Sequence, residues 1–184
     1  MKILVVIVTL FLTACNSTQG LSVYSFTNAE AESVLTQQIP KLSQEVKLMG
    51  IPVQFDVKDL SVNIGPDNRD IVILGVDSSA IINAFVIKYP VGLKLKIEGN
   101  PFYDSKEKAV FLRNIKLLDS TVDAGGYTGS LGLLNNEVMG VINRFLETTP
   151  VYRLDMNNSK IALLSKLPLD MKVVEGAIRL VPSL

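Results

Sequence analysis

Apolar and polar residues alternate along the middle of the chain from residue 51 onwards. The first run comprises Ile51, Val53, Phe55 and Val57, and the alternation resumes out of phase at Leu60, Val62 and Ile64. Successive side chains of a β-strand point to opposite faces, so this pattern predicts a strand with one buried face. The change of phase near Lys58–Asp59 predicts a β-bulge, because one extra residue there restores the pairing of the faces.

Further segments with β-strand character follow, and each is bounded by turn residues. They are residues 70–89, 92–102 and 109–124, separated by turn sequences at residues 65–68 and 104–108. This succession predicts long antiparallel strands that are buried on one face. We expect the pair Gly125-Gly126 to end the sheet, because glycine weakens regular strands.

The segment before the first strand carries a helix-start signal. Thr27 and Glu30 form a capping-box pattern, in which each side chain satisfies a free backbone N–H group at the start of a helix. Ala31, Val34 and Leu35 then share one face at helical spacing. The sequence therefore predicts an amphipathic N-terminal helix.

A second helix is expected between residues 128 and 149, where Pro150 ends it. Its apolar residues recur at helical spacing, and they are Leu134, Val138, Val141, Ile142 and Phe145. A short strand near residues 151–155 and a hairpin around Glu175-Gly176 complete the chain, while residues 160–166 fit either a helix or a strand. These elements predict one α+β domain over residues 23–184.

The first 14 residues have the features of an export signal. Lys2 precedes an apolar run from Ile3 to Leu12, which is too short to span a bilayer about 30 Å thick. The sequence Leu12-Thr-Ala-Cys15 that follows resembles the lipobox of bacterial lipoproteins, in which the cysteine becomes the acylated N-terminus. We therefore predict a signal peptide over residues 1–14, lipidation of Cys15 with fatty acyl chains such as palmitate, and a polar tether over residues 15–22.

Asn16 follows the predicted lipidation site. In the enterobacterial sorting rule that this signal resembles, aspartate at that position favours retention in the inner membrane, and other residues permit transfer to the outer membrane. We therefore expect the protein to be anchored in the outer membrane and to face the periplasm. The membrane itself is then its first partner.

The composition excludes several kinds of chemistry. The chain has no His, a single Cys and a formal net charge of zero. Catalytic sites that need histidine and metal sites built from histidine or several cysteines are therefore ruled out, and there is no positive field to hold a nucleic acid. We expect no cofactor, no metal site and no catalytic residues, so the protein is predicted not to be an enzyme.

Several sequence segments carry a resemblance to a known family. They are residues 100–112 (NPFYDSKEKAVFL), residues 119–122 (DSTV), and a helix that ends in NRFL and is followed by PVYRL at residues 150–154. Together these segments resemble the YceB family of bacterial lipoproteins. That family is similar in fold to the tubular lipid-binding domains. The resemblance implies a long, curved antiparallel sheet wrapped around one long helix, with an additional N-terminal helix and an apolar groove.

The apolar helix faces allow two interpretations. Amphipathic helices on a sheet usually fill a core, whereas the resemblance implies that part of this surface lines a groove for an acyl chain. The candidate ligand-binding residues are Val34, Leu35, Leu134, Val138, Val141, Ile142 and Phe145. Three functions remain open: a membrane-tethered binder of a lipid or another hydrophobic ligand, a non-enzymatic interaction or scaffold protein that docks onto another envelope protein, and, ranked last, an enzyme using lysine or carboxylate groups.

Overall fold

A computed structural model describes residues 24–42, 45–48, 51–84, 87–132 and 135–183. The predicted signal peptide, Cys15, the tether and Leu134 lie outside the described residues. The strands in these ranges are β1 (Tyr24–Thr27), β2 (Glu45–Leu48), β3 (Ile51–Ile64), β4 (Val72–Ala84), β5 (Ile87–Asp104), β6 (Ala109–Ala124), β7 (Tyr127–Gly129), β8 (Tyr152–Arg153), β9 (Leu169–Val174) and β10 (Ala177–Pro182). The α-helices are α1 (Asn28–Leu42), α2 (Asn135–Thr148) and α3 (Ser159–Leu164).

The larger sheet is antiparallel and curls into a half-barrel. Its strands lie in the order β2-β3-β4-β5-β6-β7, and β8 also pairs with β6. The predicted bulge in β3 is confirmed by a shift of register between Val57 and Asp59. Two further shifts interrupt the pairing of β5 with β6, after Lys96 and after Glu98. Bulges increase the local twist of a sheet, which is a physical reason for its curl.

The prediction that Gly125-Gly126 ends the sheet is wrong. These residues form a tight turn after which β7 pairs back onto β6, with Ala124 opposite Tyr127. Gly125 has φ of 61° and Gly126 has φ of 101°. Positive φ at both central residues is characteristic of a type I′ turn, whose twist matches that of the flanking strands. The two glycines therefore connect β6 to β7 within the sheet.

A smaller antiparallel sheet with the order β1-β10-β9 packs at one end of the half-barrel. The two sheets are joined where the backbone N–H of Gly176 donates to the carbonyl of Ile64 at 2.9 Å. Gly65 lies beside this junction, and a Cβ atom there would stand 2.5 Å from the carbonyl oxygen of Val174. Glycine is therefore required for the close approach of the two sheets. The predicted hairpin around Glu175-Gly176 is confirmed as the β9–β10 turn.

Helix α1 begins with the predicted capping box. The backbone N–H of Thr27 donates to the Glu30 carboxylate at 2.8 Å, and the backbone N–H of Glu30 donates back to the Thr27 hydroxyl at 3.5 Å. Helices α1 and α2 have 15 and 14 residues. The expectation of one long helix is therefore not confirmed, since two helices of similar length lie against the sheet.

Helix α1 also covers part of the outer edge of β3. The N–H group of Ile64 donates to the Asn28 side chain at 2.9 Å, and the N–H group of Val62 donates to the Glu32 carboxylate at 3.2 Å. An edge strand leaves such groups without a strand partner, and these two side chains supply the missing acceptors. This contact holds α1 alongside the half-barrel.

Candidate functional site

An apolar groove lies between the helices and the concave face of the half-barrel. Helix α1, helix α2 and strands β3, β4 and β5 all contribute to it. The lining residues are Leu35, Val57, Leu60, Leu74, Val76, Ser78, Leu93, Leu95, Ile97, Val138, Val141, Ile142, Phe145 and Leu146. The groove holds a cavity of about 90 Å³ within about 810 Å³ of empty space that includes its open mouth.

The strand side of the groove follows from the register of β4 and β5. Leu74 pairs with Ile97, Val76 with Leu95, and Ser78 with Leu93. Residues two apart on a strand share a face, so these three pairs form consecutive rows on the concave side of the sheet. The groove floor is therefore built from rigid, hydrogen-bonded strands.

The helix side of the groove follows from the apolar stripe of α2. Val138 is only 4% exposed and packs with Leu93 and Leu95, whereas Val141, Ile142 and Phe145 are half-buried. Spacings of three and four residues bring these side chains to one side of the helix. Val138 is a buried member of a packed cluster, whereas the three later residues are half-buried where they line the groove.

Ser78 is the polar residue in this lining. Its hydroxyl donates a hydrogen bond to the carbonyl of Leu93 at 3.1 Å. The bond satisfies the hydroxyl within the protein, so a ligand need not supply a polar partner. The described lining includes no ionisable side chain, and the groove is suited to hydrocarbon.

The structure brings together most of the predicted groove residues. Leu35, Val138, Val141, Ile142 and Phe145 all line the groove. Val34 does not line it, because this side chain packs half-buried against the main core instead. Leu134 lies outside the described residues, and whether any of these residues binds a ligand stays a prediction.

The strand residues of the lining were not named as candidates from the sequence. Alternation marks their faces, as for Val76 and Leu95, but each such residue would equally suit a filled core. The extent of the helical cover decides which part of the sheet stays open. That extent is a tertiary property which the strand pattern does not carry.

Ionisable groups with shifted pKa values lie away from the groove. Burial, together with the hydrogen bond that its hydroxyl shares with Tyr24, raises the pKa of Tyr152. Burial likewise raises the pKa of Tyr103, with a smaller contribution from the charge of Asp104. The backbone N–H groups of Glu107 and Lys106 lower the pKa of the Asp104 carboxyl. These groups belong to the packed end of the molecule and to a surface turn.

Within the described ranges, no cluster of three or more acidic, histidine or cysteine side chains could hold a metal ion. In the same part of the chain, no helix has the length and hydrophobicity needed to cross a membrane.

Comparison with known proteins identifies the family. Residues 26–177 match the family described as "Protein of unknown function (DUF1439)". The chain belongs to this family. The match to DUF1439 extends from β1 to the start of β10 and so includes the whole groove.

Relatives in bacteria support the same assignment. "Uncharacterized lipoprotein YceB" of Escherichia coli (strain K12) is 25% identical over 177 residues, which cover 94% of this chain and 91% of the relative. The protein of the same name from Salmonella typhimurium (strain LT2) is 25% identical over 153 residues, or 80% of this chain and 82% of the relative. The predicted resemblance to the YceB family is confirmed, and these relatives are named as lipoproteins.

Proposed function

We propose that this protein is a lipoprotein of the bacterial envelope that holds the hydrocarbon part of a lipid, or another hydrophobic ligand, in the groove between α2 and the half-barrel. The observation that carries the proposal is the groove itself. It is open, it is lined by apolar side chains, and its serine is already hydrogen-bonded. Such a surface favours a ligand that gains by leaving water.

The size of the groove limits how much of a ligand it holds. Its cavity of about 90 Å³ is smaller than the pockets of about 300–1,000 Å³ that enclose whole ligands, although the adjoining open space is larger. About ten buried methylene groups would supply roughly 8 kcal/mol, the free energy of a micromolar complex before association costs are subtracted. We therefore propose that part of one acyl chain lies in the groove.

The anchor belongs to the same proposal. The lipobox at Leu12–Cys15 and the lipoprotein names of the relatives support acylation of Cys15. Asn16 favours transport to the outer membrane, with the domain facing the periplasm. The curled antiparallel sheet supports the likeness to tubular lipid-binding domains. In this proposal the domain binds and presents a hydrophobic molecule and does not transform it.

Native mass spectrometry with lipid extraction tests the groove. The protein lacking residues 1–15 is suitable, because every described element begins at or after Tyr24. We expect a bound fatty acid or phospholipid at one per chain. A single apo mass that added fatty acid does not shift would contradict the proposal, and crosslinking to envelope proteins would then test the scaffold alternative.

A matched pair of variants locates the ligand. Val141 and Val34 are both half-buried valines on helices, but only Val141 lines the groove. Val141→Trp should remove the bound mass because the ring fills the groove. Val34→Trp should retain it. Equal retention by both variants would place the ligand elsewhere.

A further inference from the structure

Helix α3 presents an apolar surface that the groove does not use. Leu163 is 67% exposed and Leu167 is 49% exposed. The chain continues to turn after α3, with the N–H of Leu167 donating to the carbonyl of Leu164 at 3.0 Å. Leu163 thus lies in the last turn of α3 and Leu167 in the turn that follows it, and both side chains are exposed.

The opposite side of α3 is fixed to the body of the protein. Ile161 and Ser165 are buried, and the Lys108 ammonium group donates to the carbonyl of Ser165. Asn158 caps the helix by accepting from the backbone N–H groups of Lys160 and Ile161. The exposed leucines are thus held outward by a fixed helix.

Two exposed lysines accompany the leucines. Lys160 lies one turn before Leu163, and Lys166 follows in the next turn. The segment from Ser159 to Pro168 contains no carboxylate. We define the α3 patch as Lys160, Leu163, Lys166 and Leu167. Apolar side chains flanked by cations suit an anionic headgroup layer over hydrocarbon, because the leucines can enter while the lysines meet the phosphates.

The α3 patch is linked by a series of hydrogen-bonded residues to the start of the domain, where the N-terminal tether joins it. Tyr24 is the first described residue, and its hydroxyl shares a hydrogen bond with that of Tyr152. Two residues after Tyr152, the backbone N–H of Leu154 donates to the carbonyl of Lys108 at 2.9 Å. The ammonium group of Lys108 in turn donates to the carbonyl of Ser165. A short series of contacts therefore connects the start of the domain to α3.

The far end of the half-barrel also has exposed apolar side chains, namely Ile81, Tyr89 and Tyr127. Val110 of β6 pairs with Tyr103 of β5 and with Tyr152, and Tyr152 contacts Tyr24 at the start of the domain. Tyr103 therefore lies at the end of β5 that is nearer to the tether. Tyr89 lies 14 residues from Tyr103, or up to about 46 Å along the strand. The nine residues from Cys15 to Tyr24 reach about 32 Å at most. The tether length therefore favours the α3 patch over the far end.

We propose that the α3 patch contacts the anionic lipid surface in which Cys15 is anchored and so orients the domain on the membrane. The inference rests on the proposed anchor, but it does not depend on a ligand in the groove. The membrane contact is a separate site, on the outward side of α3.

Tryptophan fluorescence tests this contact directly, because the natural chain contains no Trp. Full-length Leu163→Trp protein, with acylation of Cys15 verified by mass, is reconstituted into phosphatidylcholine vesicles with and without phosphatidylglycerol. With phosphatidylglycerol present, we expect the tryptophan emission to shift to shorter wavelength. Vesicle lipids with brominated acyl chains should then quench about half of this emission. Leu167→Trp provides a second reporter, and circular dichroism verifies that each variant is folded.

A reporter at the far end and a pair of charge variants serve as controls. Tyr127→Trp should emit as in water and resist quenching. Lys160→Glu with Lys166→Glu should abolish the quenching of Leu163→Trp. Lys94→Glu with Lys116→Glu, the same charge change at two exposed positions on the large sheet, should leave it unchanged.

The outcomes separate this inference from the proposed function. If the protein is acylated but neither Leu163→Trp nor Leu167→Trp is quenched, the membrane contact is overturned. That result would not contradict the anchor or the groove. Quenching of Tyr127→Trp instead would overturn it in favour of the far end. Absence of acyl chains on Cys15 would overturn the anchor and this inference together.

Discussion

The two ends of the concave surface differ in how completely they are covered. Near the small sheet, Phe26, Ile178 and Leu180 are fully buried. Along the groove, Val141 and Phe145 remain half-buried although they are equally apolar. The two ends differ in what packs over the concave face. The small sheet and α1 cover the end near Phe26, whereas mainly α2 covers the groove.

This contrast indicates that the same strand pattern can produce a core or a groove. Strand β4 contributes Val72 to the packed cluster and Val76 to the groove, on the same face and in the same register. What differs is the number of helices and strands that pack above each row. Substitutions of one residue type in the two regions can therefore measure the difference.

The largest contrast is expected from removing one phenylalanine in each region. Phe26 is fully buried and stacks on Tyr152 with ring centroids 4.0 Å apart. Phe26→Ala should lower the free energy of unfolding by about 3–5 kcal/mol, because it leaves a closed cavity. Phe145→Ala should cost less, about 1–2 kcal/mol, because that ring, although it packs against the main core, is half-buried and also borders the open groove. Urea denaturation measures both, and equal losses would contradict the distinction between core and groove.

A smaller contrast is expected between two valines of α2 that both border the groove. Val138 is packed with Leu93 and Leu95, and Val141 is half-buried. Val138→Trp should cost about 1–3 kcal/mol of stability by overpacking. Val141→Trp should change the melting temperature little while preventing ligand binding. If Val138→Trp were as stable as the natural protein, the space around α2 would be larger than the structure indicates.

The smallest effect is a pH dependence confined to the packed end. Burial raises the pKa of Tyr152, so its ionisation is harder in the folded than in the unfolded state. This contribution to stability is complete below about pH 10, the pKa of an unfolded tyrosine, and is lost as the pH rises above it. Denaturation at increasing pH should therefore show a steeper loss in the natural protein than in Tyr152→Phe.

The expected difference for Tyr152→Phe is up to about 1 kcal/mol above pH 10. The matched control is Tyr127→Phe, because the Tyr127 ring is 68% exposed at the far end of the half-barrel. That variant should retain the slope of the natural protein. Identical slopes in all three proteins would show that Tyr152 is not buried enough to influence stability.

The sequence predicted the long elements more successfully than the short ones. Alternation and turn residues marked β6 at Ala109–Ala124 and the bulge after Val57, because many residues repeat the pattern. Strands β1 and β2 were not predicted, since four residues are too few to establish a period. The glycine pair at 125–126 was misinterpreted as the end of the sheet, although two glycines between strand-forming residues are also the sequence signal of a two-residue hairpin.

The candidate site was predictable on the helices but not on the sheet. The stripe of α2 pointed to Val138, Val141, Ile142 and Phe145, all of which line the groove. Val34 shared the apolar face of α1 with Leu35, but only Leu35 reaches the lining. The orientation of α1 on the edge of β3 separates these neighbours, and that orientation depends on the hydrogen bonds of Asn28 and Glu32.

The most direct test of the groove is to map where a photoreactive fatty acid attaches to the protein lacking residues 1–15. After irradiation and proteolysis, mass spectrometry identifies the labelled peptides. We expect labels in residues 138–146 of α2 and in the facing segments of β3, β4 and β5, and competition with unlabelled fatty acid should remove all of them. Labels confined to α3 or the far hairpin, or spread evenly over the surface, would contradict binding in the groove.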